Sequence, residues 1–226
     1  MYYAGGDFND DDDVMASKLG ARTHIGTAVS QDGQHWSRIE GEHATGAALE
    51  PTGDETRVAF PHVVQQPASA KAQWRMYYSA KTVSDPKRWV LKFAESQDGI
   101  RWAKAGSVPM GGAGAHFQGG VARPYVVEDG GRQVMFFEGR AEAGGRSIGR
   151  AVSEDAGATW AADDAPVVSA AAAAAAWDSG GVGSPHVLQV GDDGWRMYYQ
   201  GWSADGGGQK IGIAEAGALD GEWEKL

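Results

Sequence analysis

The residues best suited to chemistry in this chain are few and widely spaced. Glu138 follows the run Met135-Phe136-Phe137, and it is the candidate catalytic residue. Ala4, Ser79 and Gln200 hold its place after Met1-Tyr2-Tyr3, Met76-Tyr77-Tyr78 and Met197-Tyr198-Tyr199. A carboxylate there acts as a general acid or accepts ligand hydroxyls, or else pairs with Arg123 or Arg140. Arg123 stands just before Pro124. Its planar guanidinium suits a carboxylate-bearing or hydroxyl-rich ligand, or an ion pair with Glu138. His62 and His186 each follow a proline, as acid/base groups, ligand contacts or packing residues. Asp178 is a candidate binding residue. Asp54 and Asp178 each precede a proline by seven residues, and acids repeated at one position usually stabilise a link. Trp89, Trp177 and Trp202 fall outside the repeated positions and offer flat faces for stacking, with Trp202 in the binding set. Five Asp among residues 7–13 offer hard oxygen ligands of the kind Ca²⁺ takes. Their spacing is not that of an EF-hand, so the reading is a solvated loop, with no metal and no cofactor expected.

The elements that position these residues come from a repeat. The aromatic runs are followed by Ile25-Gly26-Thr27-Ala28, Leu91-Lys92-Phe93-Ala94, Ile148-Gly149-Arg150-Ala151 and Ile211-Gly212-Ile213-Ala214. Each unit closes on a tryptophan: Trp36, Trp102, Trp160 and Trp223. Three runs are preceded by Phe60-Pro61-His62-Val63, Arg123-Pro124-Tyr125-Val126 and Ser184-Pro185-His186-Val187. Each piece is short, β-branched or aromatic, and bounded by turn residues, so each predicts a strand. The prolines are read as the first residues of their strands, where a missing N–H is tolerated. Ser30-Gln31-Asp32-Gly33, Ser96-Gln97-Asp98-Gly99 and Ser153-Glu154-Asp155-Ala156-Gly157 predict turns capped by an Asp side chain. The last of these also matches the Asp-box, a turn stabiliser that carries no chemistry. The recurring tryptophans are expected between neighbouring blades, as core.

Four antiparallel strands per repeated unit is the signature of propeller blades. The fold class is therefore all-β, a five-bladed-type β-propeller with about four blades. A single domain over 1–226 is expected, with full blades at 60–106, 121–168 and 183–226. Residues 1–40 form a blade without its first, inner strand, so Met1 begins inside a blade and the N-terminus is expected to be incomplete. The Ala170–Ala176 tract reads as filler in a link.

Composition narrows the partners. A net charge of −10 argues against nucleic acid, which demands clustered Lys and Arg. The absence of cysteine removes disulfides, thiolate metal sites and a Cys nucleophile. No stretch approaches the roughly 20 apolar residues of a membrane helix, so no membrane partner is expected. No signal peptide is visible.

The pattern Pro-His-Val, Trp-Arg-Met-Tyr-Tyr, Ile-Gly-x-Ala-x-Ser-x-Asp-Gly-x-x-Trp resembles the arabinanase/levansucrase/invertase superfamily of five-bladed propellers, nearest to glycoside hydrolase families 43, 32 and 130. The resemblance covers nearly the whole chain. It implies a carbohydrate ligand bound at one end of a central channel, and a glycosidase working through paired carboxylates. It places those acids next to, or two residues before, the proline of each inner strand. The matching positions here are Ala59 and Phe60, Ala122 and Arg123, and Gly183 and Ser184, none of them acidic. The alternative is a non-catalytic propeller that binds sugar or protein.

Overall fold

The computed structural model describes residues 1–6, 23–68, 70–112, 114–191 and 194–226. The acidic run at 7–13 lies outside the described residues. Among those described there is no helix, and hence none long and apolar enough to cross a membrane. The chain divides into two compact units, Met1–Ser107 and Val108–Leu226.

The first unit holds two antiparallel meanders. One is β1 (Tyr2–Gly6), β2 (Thr23–Val29) and β3 (Ser37–Ile39); the other is β4 (Glu55–Gln65), β5 (Trp74–Thr82), β6 (Val90–Ser96) and β7 (Ala103–Ser107). The second unit holds two more. The third sheet comprises β8 (Met110–Gly111), β9 (Gly120–Asp129), β10 (Arg132–Arg140), β11 (Arg146–Ser153) and β12 (Trp160–Ala162), in the order β8-β12-β11-β10-β9. The fourth runs through β13 (Gly181–Val190), β14 (Gly194–Trp202), β15 (Gln209–Ala216) and β16 (Glu224–Lys225). These are four blades of the propeller type, and the first has three strands where the others carry the expected four. The short β8, drawn from a link, adds a parallel fifth strand beside β12.

Strand register explains why two of the sequence motifs travel together. Tyr3, Phe137 and Tyr199 lie opposite Gly26, Gly149 and Gly212. A Cβ on each of those glycines would sit 2.4–2.6 Å from the ring atoms of its partner. The aromatic side chain lies flat across the glycine, so neither can change alone. The cores are aliphatic and aromatic: Ile25, Val58, Met76 and Tyr78 in the first unit, Phe136, Ile148, Met197 and Tyr199 in the second. Each such buried side chain contributes about 1.5–3 kcal/mol.

The closing tryptophans bind neighbouring blades within each unit. Trp102 meets Tyr2 edge-on at 5.6 Å, and Trp223 meets Phe136 at 5.4 Å. Trp36 departs from the pattern, being 45% exposed. The capped turns form as the sequence dictates. Asp32, Asp98 and Asp155 each accept backbone N–H groups through Oδ1, and Ser30, Ser96 and Ser153 take the glycine N–H.

The prolines require a correction. Pro61, Pro124 and Pro185 are not first in their strands but well inside β4, β9 and β13. The ladder shifts register between Ala59 and His62, Phe136 and Glu138, and Gly183 and His186. The residue before each proline takes a left-handed conformation: Phe60 at φ 54°, Arg123 at 53° and Ser184 at 52°. A bulge on an edge strand absorbs the missing N–H as well as a strand end would. None of the three is glycine, so each costs about 1–2 kcal/mol of backbone strain.

Candidate functional site

The three strained positions define a recurring pair. In each full blade the bulge residue lies near the residue that follows the Met-aromatic-aromatic run, two or three places before the second strand ends. In the first unit this is Phe60, with Ser79 in register opposite Ala59 and the Trp89 ring edge-on at 5.5 Å from Phe60. In the second unit the pairs are polar. Ser184 Oγ donates to Gln200 Oε1 at 3.2 Å in the fourth sheet. Arg123 Nη1 donates to Glu138 Oε2 at 2.7 Å in the third. The register confirms that Ala4, Ser79, Glu138 and Gln200 are true counterparts, since each faces the Ile or Leu that opens the next strand motif.

Glu138 is the centre of the richest of these pairs. It is wholly buried, at 0% exposure. Besides Arg123, it has Arg140 Nε at 3.5 Å and Arg146 Nη1 at 3.8 Å from Oε1. Oε1 itself receives no hydrogen bond. Room for the carboxylate comes from Gly183 of the next blade, where a Cβ would stand 2.3 Å from Glu138 Oε2. Arg146 lies with its guanidinium over the Trp202 ring, 4.6 Å from the centroid. Burial and the like charges of Arg140 and Arg123 hold Arg146 below the usual arginine range, against the opposing pull of Glu138.

The structure thus gathers three of the sequence candidates, Glu138, Arg123 and Trp202. It joins them through Arg146, which sequence reading did not place there. The signal was present in hairpin arithmetic: β10 and β11 pair so that Arg140 faces Arg146 two residues beyond Glu138.

The remaining candidates stand elsewhere. His186 is exposed at the rim of a hollow of about 340 Å³ lined by Ser184, Tyr198, Gln200, Gln209 and Lys210. Its ring tilts against Tyr125 at 4.5 Å, and partial desolvation lowers its basicity below that of an ordinary imidazole. His62 lies half-buried in the first unit, opposite Tyr77.

Asp178 is buried, accepting from Lys225 Nζ at 2.6 Å and Tyr199 OH at 3.3 Å. Burial, and after it the nearby Asp178 carboxylate, push the Tyr199 phenol up to about 12. Trp177 stacks on the same Tyr199 ring. In the first unit the equivalent lock is built from Glu55, Tyr78 and Lys104, with Asp54 60% exposed and paired to Lys92. The acid that matches Asp178 in role is therefore Glu55, one residue past its match in sequence. The ladder shifts between Glu55 and Arg57, and this exchanges which acid points inward. Among the described residues no group of three or more His, Asp or Glu is placed to hold a metal ion.

Comparison with known proteins agrees with the architecture. No family model matches the chain. The chain is 29% identical over 167 residues to the uncharacterized protein Rv1502 of Mycobacterium tuberculosis, covering 71% of this chain and 49% of that protein. It thus spans about half the length of the curated relative it matches. Among solved structures, a thermostable family-43 glycoside hydrolase superposes with a TM-score of 0.72 at 16% identity, over 99% of this chain and 70% of that one. A β-1,2-mannobiose phosphorylase from Listeria innocua gives 0.66 at 17% identity, over 91% and 52%. A family-32 β-fructofuranosidase of Bombyx mori gives 0.65 at 14% identity, over 100% and 47%. At these identities the likeness is one of fold, and the fold is a β-propeller.

Proposed function

We propose that this chain is a carbohydrate-binding propeller of the glycosidase type, holding its ligand at the bulge positions of the second unit. The observation that carries this reading is the contrast within each blade. The motifs that build the sheet repeat, whereas the strained residue before the proline changes from Phe60 to Arg123 to Ser184. Strain held at one place with different side chains marks a position selected for what it presents. The hydroxyl and amide groups of Ser184 and Gln200, with the half-buried Tyr198 and the exposed His186 beside them, suit sugar hydroxyls. The fold likeness to proteins named for glycoside cleavage, one of them solved with β-1,2-mannobiose, points the same way.

Binding is favoured over turnover because the bulge positions carry no acid, and Glu138 is enclosed by its arginines. A general acid must come within about 3 Å of the oxygen it protonates. The orphaned Oε1 of Glu138 is the one observation that favours hydrolysis as a second reading.

The test is a glycan array followed by product analysis on every hit. Retention without new reducing ends is the expected outcome. Product formation that disappears in Glu138→Gln would replace binding by hydrolysis. An array without hits on correctly folded protein would dismiss both readings.

A further inference from the structure

The Glu138 cluster holds more positive charge than its own carboxylate can balance. Arg123, Arg140 and Arg146 surround one Glu, so these four side chains carry a surplus of two positive charges. This is not a consequence of composition, because the chain as a whole carries a net charge of −10.

The surplus is also costly to keep. Arg140 and Arg146 stand directly opposite each other in the β10–β11 ladder. Like charges directly opposite destabilise an antiparallel pair. Arg140 Nε is buried without a hydrogen bond, which adds a desolvation cost. A neutral pair at 140 and 146 would remove both costs. Glu138 would still keep its 2.7 Å bond from Arg123.

The geometry gives the surplus a direction. Glu138 is 0% exposed, while the arginine side chains are 24%, 34% and 33% exposed. The negative partner is therefore sealed, while all three arginine side chains are partly open to solvent, Arg140 with its Nε turned inward. Arg146 is fixed by lying over the Trp202 ring, which limits the rotamer entropy lost on binding.

We infer that Arg123, Arg140 and Arg146, with Trp202 beneath, form a subsite for an oxyanion carried by the sugar ligand. This rests on the carbohydrate-binding reading above and names its class of ligand as an anionic glycoside. The planar guanidinium fork fits a carboxylate or a phosphate bidentately, and a neutral hydroxyl would leave the charge unmatched.

The experiment is calorimetric titration of the intact chain with three matched methyl glycosides: a hexose, its hexuronate and its 6-phosphate. At least one anionic form is expected to bind about tenfold or more tighter than the neutral sugar, as hydrogen bonds to charged groups allow. Whichever anion wins assigns the source as carboxylate or phosphate. The preference should shrink as salt rises while neutral binding holds. Arg146→Gln and Arg140→Gln should each remove most of the preference for the anionic form. Glu138→Gln should strengthen it by removing the internal competitor.

Equal affinity for all three sugars at low salt overturns the anionic subsite and leaves the sugar-binding reading standing. No binding of any of the three overturns both. The salt series uses the unaltered protein, so it decides the matter even if a variant fails to fold.

Discussion

The third and fourth blades are built from one strand pattern, yet they place their charge at different positions. In the fourth blade the charge lies in the link: Asp178 and Lys225 pair beside Tyr199, and the bulge pair Ser184–Gln200 is neutral. In the third blade the link has no such ion pair among the described residues, and His116 stacks on Phe137 where Trp177 stacks on Tyr199. Phe117 stands where Asp178 does, Phe137 where Tyr199 does and Ala162 where Lys225 does, while the bulge pair Arg123–Glu138 is ionic. The link equivalence is fixed by the backbone, because Gly119 N–H reaches Arg140 O as Gly180 N–H reaches Trp202 O. Identical residue types therefore mean different things at the two places. The Asp178 lock recurs in the first unit as Glu55–Tyr78–Lys104, and its repetition marks it as structural. The Glu138 cluster occurs once among the described residues, and it sits on a strained backbone.

The largest effect should come from breaking the fourth blade's lock. Lys225→Met leaves the Asp178 carboxylate buried with only Tyr199, and should cost about 3 kcal/mol in urea unfolding. Converting the fourth blade to the third blade's set, Asp178→Phe, Tyr199→Phe, Lys225→Ala and Trp177→His, should recover most of that loss. Replacing a buried ion pair by apolar groups of suitable shape is often close to neutral. Failure of the set to recover stability would mean that the two links are not interchangeable and that the lock is tuned to its own blade.

A smaller effect is expected at the third blade's charged position. Gly183→Ala places a Cβ in the space occupied by Glu138 Oε2. Overpacking of this kind costs about 1–3 kcal/mol, and it should also shift the Arg146–Trp202 contact. Trp202 fluorescence in the presence of the anionic sugar reports the second consequence. An alanine that stabilises the fold, with unchanged sugar affinity, would show that the carboxylate is not positioned by that glycine.

Much of this comparison was legible in the sequence. The Met-aromatic-aromatic run fixed Glu138 against Ala4, Ser79 and Gln200, and the register agrees at every one. The Arg123–Glu138 pair was one of the alternatives the sequence left open, beside Arg140 and a ligand role, and it forms. What escaped were features that depend on one residue of slippage. A proline reads equally well as a strand start or as a bulge, because both excuse the missing N–H. The bulge at Glu55–Arg57 likewise gives Asp178's role to Glu55, although spacing from the proline singles out Asp54. Arg146 escaped for another reason: its approach to Glu138 shows only when the hairpin register is counted across from Arg140, not from the local pattern around Arg146.

The smallest effect distinguishes the turns that close the two blades. In the third blade Ser153 and Asp155 cap the turn, whereas Ala216 and Ala218 stand at those places in the fourth. The fourth blade's turn is braced from outside, by Arg150 donating to Leu219 O and Gly221 O. Bonds from Thr159 Oγ1 and N–H and from Ser153 lower the Asp155 carboxyl to about 2. A group depressed in the folded state stabilises above its unfolded pKa, and that contribution fades as pH falls through the folded value. The third blade's turn should therefore weaken between about pH 4 and pH 2, the lower bound being the folded Asp155 value. Asp155→Asn should be slightly less stable at pH 7 and should flatten this part of the acid limb in a urea-midpoint series. Ala218→Asp should do the reverse, adding acid sensitivity where the fourth blade has none from this position. If the Asp155→Asn series keeps the full slope between pH 4 and 2, the acid sensitivity belongs to other carboxylates, Asp220 against Arg132 first among them.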